Sequence, residues 1–291
     1  MNLPSNFQYF LESEIGRPNP HDCLFHVLPA CYEKSVSYGK GTENGPLAII
    51  EASQQLEVFD GVDNPSESGI FTLAPVFCRE DDDPDVYLFE IAANMERLMR
   101  LNKIPVLLGG EHTVSVSAFR ALLQIGKPIG IVQFDAHADL RDEYDGDPLS
   151  HACVMRRAAE AGFKIFQIGV RSMSPEEVTF RKEKNIPHLD AVQIAENGIP
   201  ENMLPDDFPE NIYITFDVDA LDPSIMPATG TPEPGGLMWY PAINLLKKMI
   251  QGRNVMGFDV VELAPIDGFH APDFAVARLV YNLMGIIARS R

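Results

Sequence analysis

Two apolar, β-branched runs in this chain end in the same way, and that ending limits the fold more than any other feature. Ile131-Val132-Gln133-Phe134 leads into Asp135-Ala136-His137-Ala138-Asp139, and Ile212-Tyr213-Ile214-Thr215-Phe216 leads into Asp217-Val218-Asp219. Every second residue of a strand points to the same side. Asp135, His137 and Asp139 therefore form one convergent set, and Asp217 and Asp219 another. Burying one carboxylate without a partner is costly, and burying several together is worse. A bound cation, or more than one, is the least costly way to hold so many acids against a core.

Similar runs recur at 104–108, 129–134, 165–170, 212–216 and 255–260, with a weaker one at 23–27. Helical patterns lie between them at 47–56, 85–101, 113–123, 151–161, 241–250 and 274–288. Pro46 suits the first turn of the first of these. Phe89, Ala92, Met95 and Met99 mark the apolar side of the second. Alternating strands and helices predict an α/β fold with a parallel sheet covered on both faces. The near-continuous apolar strands agree, because such strands are buried on both sides. A length of 291 residues suits one large domain or two small ones. No linker divides the chain, so we expect a single domain over 1–291, with 1–24 as a weakly assigned N-terminal extension. The stretches 80–84 and 204–209 read as loops. So does 35–46, with Gly39, Gly41 and Gly45, and a loop of that length in a compact domain is often functional.

The net charge of −19 argues against nucleic acid or an anionic membrane as partner and favours a cationic ligand. Cys23, Cys31, Cys78 and Cys153 are widely spaced and form no CxxC pair, which predicts a reduced, cytoplasmic setting. Residues 1–10 lack the basic and apolar regions of a signal peptide. No apolar run approaches the roughly 18 residues of a membrane span.

The charged motifs all follow strands: Leu108-Gly109-Gly110-Glu111-His112, then 135–139, 217–219 and Asp259 to Glu262. Ligands of open parallel sheets bind at the carboxyl ends of the strands, so these four motifs predict one shared site. Each alone has a duller reading: a surface loop, a helix cap, a tight turn at Gly109-Gly110, a structural histidine at 112. Together, His112, Asp135, His137, Asp139, Asp217 and Asp219 supply four carboxylates and two imidazoles. One divalent ion would leave a charge of about −2, and two would bring the sum near zero. Oxygen-rich donors with some imidazole suit Mn²⁺, with Mg²⁺, Fe²⁺, Co²⁺ and Zn²⁺ open. Paired metals about 4 Å apart make water a nucleophile at neutral pH.

These residues also carry a resemblance. The segments 108–112, Ile-Val-Gln-Phe-Asp-Ala-His-Ala-Asp at 131–139 and Thr-Phe-Asp-Val-Asp-Ala-Leu-Asp-Pro at 215–223 resemble signatures of the ureohydrolase family, which contains arginases and agmatinases. The last continues through Pro227, Ala228, Thr229, Gly230, Thr231 and Pro232 to Gly235-Gly236. The likeness runs from about Ser37 to the C-terminus. It implies an arginase-like, three-layer α/β/α fold with a mostly parallel sheet and two Mn²⁺ per chain. One ion would take His112, Asp135, Asp139 and Asp217, and the other His137, Asp135, Asp217 and Asp219, with Asp135 and Asp217 bridging. The implied reaction splits a guanidinium group into urea and an amine. Glu262 matches the family's guanidinium-binding glutamate, and a carboxylate meets a guanidinium through two parallel hydrogen bonds. Asp139 is the implied proton donor to the departing amine. His151 matches a histidine that contacts substrate and relays protons. Ser117 departs from the Pro, Ala or Gly common in the family, inside a helix and away from the chemistry. Family members usually form trimers or hexamers, so a homotrimer or homohexamer is expected.

The resemblance is also informative about substrate. The Asn- and Ser-rich loop by which arginases hold an α-carboxylate is absent. In its place is Leu140-Arg141-Asp142-Glu143-Tyr144-Asp145-Gly146-Asp147, an acidic loop that repels a carboxylate and welcomes an amine, with Asp142 as a candidate contact. The segments 38–46 and Ser-His-Ala-Cys-Val-Met-Arg-Arg at 150–157 look like prokaryotic agmatinases. Agmatine, a small dication cleaved to putrescine and urea in polyamine biosynthesis, is the expected substrate. Aminopropylagmatine fits the same charge logic, and guanidinobutyrate is a further alternative through Arg141. The complete ligand set, with Glu262 and His151, argues against a one-metal amide hydrolase of the deacetylase type and against a non-catalytic arginase-like binding protein. A Ca²⁺ buffer is disfavoured because Ca²⁺ seldom takes histidine.

Overall fold

The strands are β1 (Phe25–Cys31), β2 (Ile70–Thr72), β3 (Val76–Phe77), β4 (Ile104–Gly109), β5 (Ile129–Phe134), β6 (Lys164–Ile168), β7 (His188–Leu189), β8 (Asn211–Asp217) and β9 (Asn254–Val261). The helices are α1 (Glu12–Ile15), α2 (Gly45–Ser53), α3 (Pro84–Arg100), α4 (Ser115–Ile125), α5 (Val154–Glu160), α6 (Pro175–Glu183), α7 (Ala191–Asn197), α8 (Trp239–Ile250) and α9 (Ala271–Ser290). This computed structural model describes residues 7–79 and 81–291. Residues 1–6 of the expected N-terminal extension, and Glu80 of the expected 80–84 loop, lie outside the described residues.

The strands form one sheet in the order β2-β1-β4-β9-β8-β5-β6-β7, with β3 beside β2 on the same edge of β1. Every pairing among the described strands is parallel. Alternate side chains feed two separate cores. Val106 and Leu108 of β4, with Ile212, Ile214 and Phe216 of β8, join the face covered by α2, α8 and α9. Leu107 and Tyr213 join the face covered by α3, α4 and α5. The chain crosses from β4 to β5 and leaves room for β9 and β8 to enter later. The carboxyl ends of β4, β9, β8 and β5 thereby become neighbours, which gathers the four charged motifs at one edge.

Some expectations shift. The weak run at 23–27 belongs to a longer strand that passes through Pro29. Val27 and Cys31 carbonyls accept from Leu73 and Cys78 on the outer edge. By the two-residue alternation, Pro29's missing N–H faces that same edge. It falls in the break between β2, which ends opposite Val27, and β3, which begins opposite Ala30. On α3 the buried side is Leu88, Ile91, Ala92, Met95, Leu98 and Met99, whereas Phe89 is 68% exposed. α9 is long and apolar enough, by length and composition, to cross a membrane, contrary to the expectation that no run comes near. Two thirds of its apolar window is buried in the fold against α2 and α8.

Candidate metal centre and substrate cleft

Gly110 makes the turn out of β4 possible: a Cβ there would lie 2.1 Å from the Tyr32 carbonyl oxygen. The turn delivers His112 to the end of the sheet, fully buried. Its Nδ1 lies 2.9 Å from Asp139 Oδ2, 3.3 Å from Asp135 Oδ2 and 3.5 Å from Asp217 Oδ2. No hydrogen bond is formed at this nitrogen among the described residues. Its Nε2 lies 2.8 Å from Thr215 Oγ1, which donates to Asp259 Oδ1 at 2.7 Å. With Thr215's only hydrogen spent on Asp259, Nε2 carries a proton, and Nδ1 faces three carboxylates, where a cation can take the place of its proton.

A second set surrounds His137, whose Nδ1 is 2.9 Å from Asp219 Oδ2 and 3.7 Å from Asp135 Oδ1. His112, Asp135 and Asp139 thus offer one group of ligand atoms, and Asp135, His137 and Asp219 another, sharing Asp135. Among the ion pairs of the described residues, these aspartates meet only histidines. Burial opposes charge on both histidines, but the surrounding carboxylates outweigh it, raising His112 well above its ordinary range and pushing His137 up to about 12. Burial, with Asp135 beside it, pushes Asp139 up to about 7. Burial, with Asp219 and Asp135, raises Asp217 well above the usual carboxylate range. Such a cluster is short of positive charge. An orphaned imidazole nitrogen facing carboxylates, with no lysine or arginine paired to them among the described residues, fits divalent metal ions.

Glu262 follows β9. Its Oε1 accepts from the His112 N–H at 2.6 Å, and its Oε2 has no hydrogen-bond partner among the described residues. Burial, with Glu111 nearby, raises it well above the ordinary glutamate range. Both Asp139 (φ 52) and Glu262 (φ 67) adopt the left-handed backbone region. That conformation is costly for a residue with a side chain, by about 1–3 kcal/mol each, and is commonly found at working sites.

His151 opens the turn His151–Cys153 before α5. Its Nδ1 lies 3.1 Å from Ser35 Oγ. Ser35 donates to Glu111 Oε1, and Glu111 also accepts from the Lys34 and Ser35 N–H groups and from Thr113 Oγ1. Ser150 Oγ also lies 3.3 Å from His151 Nδ1, so two hydroxyls hold this side of the ring. Burial lowers the His151 pKa, against the opposing pull of Glu111. Ser35, Glu111, Thr215 and Asp259 are not among the expected site residues, although 35–46 reads as a functional loop. That loop does border the site: Val36, Ser37, Tyr38 and Gly39 line it, and Gly39 N–H bonds the Gly230 carbonyl at 3.1 Å.

The inner chamber, about 20 Å³, is walled by five of the six expected ligands, all but the buried Asp135, together with His151 and Glu262. It meets an outer cleft of about 300 Å³ that shares Ser37, His137, Asp139, His151 and Thr231 and adds Arg141, Tyr144, Glu177 and Glu233. A cavity of about 380 Å³ beside Phe163 and Phe208, at the amino end of β6, holds none of these groups. One expected contact is displaced: Asp142 lines neither space. Its carboxylate is held by Arg157 at 3.0 Å and Arg156 at 3.6 Å, and it stays mostly exposed. Ser117 sits buried inside α4, as expected.

A parallel sheet with this donor set at its carboxyl edge defines an α/β protein with a candidate metal centre. Comparison with known proteins narrows the class. The arginase family model matches residues 24–285. The N(1)-aminopropylagmatine ureohydrolase of Synechocystis sp. is 37% identical over 304 residues, covering 100% of this chain and 99% of that protein. The agmatinase of Pyrococcus horikoshii is 31% identical, covering 96% and 97%. The crystal structure of agmatine ureohydrolase of Thermoplasma volcanium superimposes with a TM-score of 0.86 at 28% identity, covering 98% of this chain and 95% of that one. The chain belongs to the arginase family, and its chemistry is that of a ureohydrolase acting on a guanidino group.

Proposed function

We propose that this protein cleaves the guanidinium group of agmatine, releasing urea and putrescine. The observation that carries the reading is Glu262: a buried carboxylate with one oxygen fixed by His112 and the other free, in the chamber that holds the ligand set. His112, Asp135, Asp139 and Asp217 would hold one ion and His137, Asp135, Asp217 and Asp219 the other. When bound, the two ions supply a water activated at neutral pH. Glu262 binds and orients the guanidinium. Expulsion of the amine requires a proton, for which Asp139 is the donor. His151, which lines both the chamber and the cleft, exchanges protons with solvent. Manganese suits the oxygen-rich donors. A role in polyamine biosynthesis, a cytoplasmic setting and assembly as a homotrimer or homohexamer belong to the same proposal. The four free cysteines are in keeping with a reducing compartment.

A second reading has support of its own. The Synechocystis and Thermus relatives are named for aminopropylagmatine, and the outer cleft leaves space beyond the chamber for a longer amine. Arginine fits neither reading, because the only arginine of the described cleft wall, Arg141, lies 3.8 Å from Glu177 and against the Tyr144 ring. Urea release from agmatine, aminopropylagmatine, arginine and guanidinobutyrate with Mn²⁺ tests this. Either amine should exceed arginine at least about 100-fold in kcat/KM, equivalent to roughly 2.7 kcal/mol of transition-state binding. Comparable rates on arginine, or activity confined to guanidinobutyrate, would reject the assignment.

A further inference from the structure

We propose that the carboxylate of Glu233, in the wall of the outer cleft, captures the distal ammonium of the substrate and sets the preference for amine-bearing guanidines. The inference rests on the guanidino-amine reading above and adds the group that recognises the amine end. Glu233 is half-buried between two prolines, Pro232 and Pro234, which limit the backbone freedom around it. Its main chain is tied down by Arg171. The Arg171 guanidinium donates to the Glu233 carbonyl at 2.7 Å and to the Asp219 carbonyl at 2.7 Å, with further bonds to the carbonyls of Gly169 and Pro234. Arg171 therefore spends itself on main-chain oxygens and couples this loop to the chain at Asp219, one of the expected ligands. The Glu233 carboxylate is left with no hydrogen bond or ion pair among the described residues.

The other charges of the cleft are already matched. Glu177 accepts from the Leu140 and Ser174 N–H groups and lies 3.8 Å from Arg141, whose guanidinium stacks over the Tyr144 ring. Apart from the metal-site groups, that leaves Glu233 as the acid of the cleft wall with no hydrogen bond or ion pair among the described residues, on a proline-flanked loop, in a cleft continuous with the chamber through His137, Asp139 and His151. An ammonium group seated there gains a charge-assisted hydrogen bond, whereas a carboxylate would be repelled. An aminopropyl extension lengthens the substrate toward the cleft without demanding anything new of the inner chamber.

The test compares kcat/KM for the wild type, Glu233→Gln and Glu233→Asp on agmatine, aminopropylagmatine and n-butylguanidine, the last being agmatine without its amine. The amine-free compound is measured as a substrate or as a competitive inhibitor, and it reports whether the variant is folded. Glu233→Gln should lose at least about tenfold more on the preferred amine than on n-butylguanidine, mainly through KM, with partial recovery in Glu233→Asp. Equal losses on all three compounds, or a loss confined to kcat, would overturn the role of Glu233 while leaving the ureohydrolase reading intact. A wild type inactive on both amines would instead overturn that reading, and this inference with it.

Discussion

His112 is held from below by a hydroxyl, and that hydroxyl by a buried carboxylate. Thr215 and Asp259 sit directly opposite each other in the β8–β9 register, so the link between them depends on strand pairing. Replacing Thr215 with Val keeps the shape but leaves the imidazole N–H and Asp259 without their shared partner. Metal affinity should fall about 10–100-fold with the fold intact, measured by titrating Mn²⁺ into metal-free protein. An affinity within about twofold of wild type would remove Thr215 from the site. Loading should also release protons and strengthen as pH rises, since Asp139 and Asp217 bind protons readily when no cation is present. At this scale the strand-end acids are legible in the sequence as candidate ligands because carboxylates at the ends of apolar runs are too costly to bury without a cation. Thr215 and Asp259 stand inside the same strand-end motifs, but the bond joining them becomes visible only with the strand order. The same holds for Ser35 and Glu111, 76 residues apart. Asp142 is misassigned from sequence because local acidity does not reveal which arginines will fold back to neutralise it.

At the scale of elements, the five strong strand runs fall within a residue or two of their observed bounds. All six expected helices are present as well. The segment 151–161 begins as a tighter turn before α5, and 113–123 does so before α4. What escapes a reading of the sequence is short or polar. β2, β3 and β7 are two or three residues long, and their pairing is set by neighbours. α6 is mostly polar, yet it carries a legible start in the capping box Ser174-Pro175-Glu176-Glu177. On α3 the expected Ala92, Met95 and Met99 are buried and only Phe89 is misplaced, since a three- and four-residue spacing that begins at Phe89 is satisfied equally well from Leu88. Leu88→Ala should therefore destabilise by about 2–5 kcal/mol, and Phe89→Ala by less than about 0.5 kcal/mol, measured by denaturant unfolding. The reverse ranking would mean that the helix is rotated on the sheet.

For the molecule as a whole, the alternation of strands and helices is enough to predict a parallel sheet with two covered faces. It does not predict the strand order, which depends on where each crossover lands. That order makes β4, β9, β8 and β5 neighbours and turns four distant motifs into one centre. The charge balance of the entire site then rests on cations that the chain does not itself supply. Titration of metal-free protein with Mn²⁺, reading urea release from agmatine against bound metal, tests this most directly. Activity should rise to a plateau at two metal equivalents per chain, and Asp217→Asn should stay inactive throughout. A plateau at one equivalent, or urea release from metal-free protein, would contradict the account.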